Sequence, residues 1–173
     1  YERLLGLGIP VRSYYAENEL DAEEAQRRFA LLKLFFDRHD RIALRWLVGR
    51  GSTTWYSGGY RRVREYCEEH GVEPWTVFER LTANTLVLPR TGPLVQRFNE
   101  IVAALNDLDE LDGVPALVDH LFADGDEDVS NLRALALQVI EAFGDDAIDP
   151  TDFIQAFSEA IWKPEIPLEV TEV

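Results

Sequence analysis

Pro93-Leu94-Val95-Gln96-Arg97-Phe98-Asn99-Glu100-Ile101-Val102-Ala103-Ala104-Leu105-Asn106-Asp107-Leu108 places apolar side chains at 94, 98, 101, 102, 105 and 108. That spacing keeps one helix face apolar for about four turns. Working upstream, Pro74 stands where a helix can begin, and Trp75, Phe78 and Leu81 supply an inward face as far as Ala83. Before it, Gly58 and Gly59 open a helix whose Tyr60, Val63 and Cys67 form one apolar stripe, ended by Gly71. A further helix runs from Asp40 through Ile42, Leu44, Trp46 and Leu47 to the glycines at 49 and 51. Another, introduced by the capping pattern Asp21 and Glu24, carries Ala25, Phe29, Leu32 and Phe36 to about Arg38. Downstream, the pattern predicts helices over 114–122, 129–143 and 150–162, each bounded by Gly, Asp or Pro.

The fold class is therefore all-α, one main domain of seven or eight helices over residues 17–163. At 173 residues and 46% hydrophobic content, the chain is long enough for one well-buried core. Strand-like stretches flank it: Ile9-Pro10-Val11-Arg12-Ser13-Tyr14-Tyr15 within 1–16, and Ile166 to Val173 within 164–173. An isolated strand at each end cannot satisfy its backbone unless the two pair or join another sheet, so the expectation is of an insertion excised from a larger protein. The single cysteine, Cys67, excludes an intramolecular disulfide framework. The amino-terminal residues lack the basic region and apolar core of a secretory signal, and no apolar run approaches a membrane span. These features predict a cytoplasmic protein with no membrane contact.

Catalytic and metal chemistry finds little support in the residues. No Gly-x-x-x-x-Gly-Lys-Ser/Thr phosphate loop occurs, so this chain has no ATP site of that kind. Asp124, Asp126 and Asp128 imitate the start of a calcium loop, but Val129 and Leu135 occupy the positions that need glycine and a bidentate glutamate. Helix capping is the better account. Cys67 and His70 lie one helical turn apart, yet His39 and His120 have no ligand spacing to them, and Cys67 sits on the apolar stripe as a small hydrophobe. No catalytic residue, metal site or bound cofactor is predicted.

The charge pattern is more informative. The chain has a formal net charge of −15, yet the segment from Arg41 to Arg64 holds Arg41, Arg45, Arg50, Arg61, Arg62 and Arg64 with no acidic residue. Part of this island has an ordinary explanation, since Arg61 and Arg64 each have a glutamate four residues later. The loop Gly49-Arg50-Gly51-Ser52-Thr53-Thr54-Trp55-Tyr56-Ser57 favours a phosphate partner. It is rich in hydroxyls and leads into a helix start, where unsatisfied amides and the helix dipole attract anions. Hydroxyl and guanidinium donors of this kind grip a nucleic-acid backbone without reading its sequence. Arg50, Ser52, Thr53, Thr54, Arg61 and Arg62 are the predicted DNA-binding residues.

With these residues in view, the order of elements resembles the accessory subdomain 2B of UvrD/Rep/PcrA-type superfamily 1 DNA helicases. Gly8-Ile9-Pro10-Val11-Arg12-Ser13-Tyr14 is similar to the family's Gly-Ile-Pro-Tyr-Arg-Ile-Tyr strand. Residues 30–35, the turn at 37–40 and residues 42–48 resemble the helices that follow it, and 167–173 resembles the lead-in to the returning strand. The family's duplex-contact loop, Thr-Pro-x-Arg-Gly-Ile-Gly, falls by position on Arg50 to Tyr56, where this sequence has Thr54-Trp55-Tyr56 in place of Gly-Ile-Gly. The resemblance implies a non-catalytic, regulatory insertion that contacts duplex DNA and pivots on the remaining motor domains. It also implies a parent protein that hydrolyses ATP with Mg. The rival expectation is a protein-interaction or autoinhibitory helical module of the same helicase that does not touch DNA; the acidic remainder of the chain favours it.

Overall fold

The computed structural model describes residues 20–52, 56–144 and 148–162, and the strands expected at 9–15 and 166–173 lie outside them. The described residues are all-α, with no strand among them. Their helices are α1 (Glu23–Phe36), α2 (Arg41–Gly49), α3 (Arg61–His70), α4 (Pro74–Thr82), α5 (Gly92–Asp109), α6 (Gly113–Leu121), α7 (Ser130–Phe143) and α8 (Pro150–Trp162). A π-helical turn, Tyr56–Tyr60, runs into α3, and a 3-10 turn, Glu127–Val129, precedes α7. The helix starts and stops follow local chemistry. Asp40 caps α2 by accepting from the amides of Ile42 at 3.0 Å and Ala43 at 2.9 Å. Gly71 ends α3 in the left-handed conformation, φ +63°, which lets the Val72 amide turn back to the Cys67 carbonyl at 3.2 Å.

The described residues divide into two compact units, one within 27–112 and the other within 20–26 and 113–162. In the first, the core is built from Leu44, Leu47 and Val48 of α2, Val63 of α3, Val77 and Phe78 of α4, and Leu94, Phe98, Ile101 and Leu105 of α5. Phe78 stacks on Phe98 with ring centroids 5.1 Å apart, Trp75 meets Phe98 edge-on at 4.8 Å, and Tyr60 lies 6.5 Å from Phe78. Each such pair contributes about 0.5–1.5 kcal/mol beyond the area it buries. In the second unit α6, α7 and α8 pack around Phe122, Phe153 and Phe157; Phe153 stacks on Phe157 at 5.4 Å. Arg133 of α7 completes that unit: it donates to the Phe122 carbonyl just past the end of α6 at 2.8 Å and pairs with Asp119 at 2.7 Å. Asp126 accepts from the Asp128 amide at 3.2 Å and so caps the 3-10 turn, as the acidic loop predicts.

Gly59 places the π-helical turn on α5. A β-carbon there would stand 2.7 Å from the Arg90 carbonyl oxygen and 2.8 Å from a methyl of Leu94. The Arg90 carbonyl is backbone and cannot swing aside. Gly59→Ala is therefore expected to destabilise the 27–112 unit by about 1–3 kcal/mol, the usual range for forcing an extra carbon into a packed site. Thermal unfolding followed by circular dichroism checks this, with Gly58→Ala as the control, because a β-carbon at Gly58 meets nothing within 4 Å.

Candidate functional site

The arginine island is dispersed once the chain folds. Arg41 makes a two-pronged pair with Glu73, its Nε and Nη2 donating at 2.8 and 2.6 Å across 32 residues of sequence. Arg61 lies 3.6 Å from Glu65 and Arg64 3.4 Å from Glu68, the expected one-turn pairs along α3. Arg62 folds back along its own helix and donates to the Gly58 carbonyl at 2.9 Å. Thr53 and Thr54 lie outside the described residues, while Ser52 is half-buried with its amide 3.2 Å from the Gly49 carbonyl.

The helix start predicted at Gly58 and Gly59 lies further upstream. Tyr60, at the junction with α3, has helical dihedrals of φ −65° and ψ −33°, so Arg61 continues the turn formed by residues 56–60. The first amides of that helical run therefore lie upstream of Arg61 and Arg62.

Arg50 has the most suggestive surroundings. It caps the end of α2 and, half-buried, lines a hollow of about 250 Å³ together with Arg27 of α1 and Arg97 of α5. Leu31, Leu47 and Ile101, all buried, line the same hollow. Its acidic member is Glu100, 3.3 Å from Arg97. Arg27 of α1, Arg97 of α5 and Arg50, just past the end of α2, thus line one hollow with a single lining carboxylate, a composition that favours an anion with several acceptor oxygens. Arg27 and Arg97 are remote from the island in sequence, and no local signal marks them.

A second and larger concavity, about 800 Å³, lies between α2 and α3 and is closed at one end by the turn from Gly71 to Pro74. Arg41, Arg45 and Arg64 line it, together with Glu68, Glu73 and Cys67. Burial pushes the Cys67 thiol above its ordinary pKa, with Arg41 opposing the shift, so the group is a thiol at neutral pH. His70 is engaged elsewhere, stacked on Tyr66 at 4.0 Å with its Nδ1 3.1 Å from the Tyr66 carbonyl oxygen. Among the described residues no group of three His, Cys, Asp or Glu side chains converges as metal ligands would. No described helix is long and apolar enough to cross a membrane. No protein-family model matches this chain, and no curated protein matches it with significance.

Helix α2 forms a wall of both concavities, and Asp40 holds its first turn. Burial raises the Asp40 carboxyl, but the Ala43 amide, the Lys33 ammonium 2.6 Å away and the Ile42 amide together outweigh it and leave the pKa below the ordinary value. A depressed carboxyl stabilises the fold above its unfolded pKa, and that contribution is lost as the pH falls through the lowered folded value. Asp40→Ala is expected to cost about 1–2 kcal/mol at pH 7, in line with the loss of a helix cap. The deficit against the parent chain should shrink as the pH drops below the carboxylate range. Urea unfolding of both proteins at neutral and acidic pH measures it.

Proposed function

We propose that this chain is a non-catalytic, regulatory insertion of an ATP-dependent DNA helicase, and that it grips the backbone of duplex DNA with the face bearing Arg50. The observation that carries the reading is the hollow where Arg50, Arg27 and Arg97 converge with one carboxylate, on a chain whose net charge is −15. Guanidinium groups offer paired donors matched to phosphate oxygens, and binding of this kind needs no contact with base edges. Ser52, Thr53 and Thr54 follow Arg50 after Gly51 in the chain and extend the set of donors. Arg61 joins them at little cost, because an exposed one-turn ion pair such as Arg61 with Glu65 contributes roughly 0–1 kcal/mol and exchanges readily for a phosphate. Arg62, anchored on the Gly58 carbonyl, reinforces the positive potential beside it.

The resemblance in element order supports the rest of the reading. ATP and Mg belong to the parent's motor domains, which are also this chain's partners, and the setting is the cytoplasm. This chain's part is to hold duplex while the motor domains move on the single strand. The second reading, a protein-docking or autoinhibitory module, has an observation of its own in the larger concavity, where Ile42 stands 80% exposed.

A fluorescent hairpin duplex with a single-stranded tail, titrated at two salt concentrations, tests the leading reading. Binding by the parent chain should weaken steeply with salt. A variant with Arg27→Ala, Arg50→Ala and Arg97→Ala should bind more weakly on every sequence and show a flatter salt dependence, by about 0.9 in the logarithmic slope for each phosphate no longer neutralised. Adding Arg61→Ala and Arg62→Ala should flatten it further. An unchanged slope would remove these arginines from the interface, and no binding at low salt would favour the docking reading.

A further inference from the structure

We draw no further inference here: the strongest candidate, the groove of about 800 Å³ between α2 and α3, carries nothing, because Arg41, Arg45 and Arg64 on its lining are already engaged by Glu73, the Tyr60 ring and Glu68, and nothing in the structure shows what covers it.

Discussion

The stacking of Phe78 on Phe98 is the contact on which the 27–112 unit depends. It joins α4 to α5 with both rings fully or almost fully buried, and other contacts radiate from it. Trp75 meets Phe98 edge-on and presents its outer surface to the Arg38 guanidinium, 5.6 Å from the ring, while Arg38 reaches Asp109 at the far end of α5. On the other side Tyr60 lies against Phe78, which draws the π-helical turn toward α4 and sets the direction in which α3 leaves. Tyr60 also lies beneath Arg45. Aromatic packing therefore decides where two of the groove's walls stand before any charge is considered.

Charge then acts on a scaffold already in place. The island of six arginines, continuous in sequence, is divided by acidic residues that the fold brings to it: Glu73 from the turn before α4, and Glu65 and Glu68 from α3 itself. A grouping of arginines in space is assembled differently, from Arg27 of α1, Arg97 of α5 and Arg50 just past the end of α2, which line one hollow. A run of like charges along a chain measures composition, whereas potential at a surface depends on which charges converge in space.

Helix existence was legible because punctuation and periodicity agreed. Asp40, Gly71, Pro74 and Pro150 each occupy the boundary role their chemistry suggests, and the apolar stripe of 94–108 lies on the buried face of α5. The π-helical turn at Tyr56–Tyr60 was not legible. Its Gly58 and Gly59 carry no side chain from which a period can be read, and its position depends on the Arg90 carbonyl and Leu94, about thirty residues away. The site was legible only in part for a related reason. Arg50 stood out within the island, but Arg27 and Arg97 are isolated among helical residues, and their convergence is a product of how α1, α2 and α5 pack.

Helix α2, nine residues long, is a wall of both concavities: Arg41, Ile42 and Arg45 line the groove, whereas Leu47, and Arg50 just past its end, line the hollow. Such sharing invites the idea that an occupant on one side influences the other. Coupling of that kind requires an element with two arrangements whose balance each ligand shifts. Leu44, Leu47 and Val48 are at most 4% exposed, α2 packs against α5, and Asp40 fixes its first turn. A helix so held is anchored in one arrangement, and without a second there is no equilibrium for either occupant to shift. Shared walls alone therefore do not link the two concavities, because α2 is anchored from both sides by the same core.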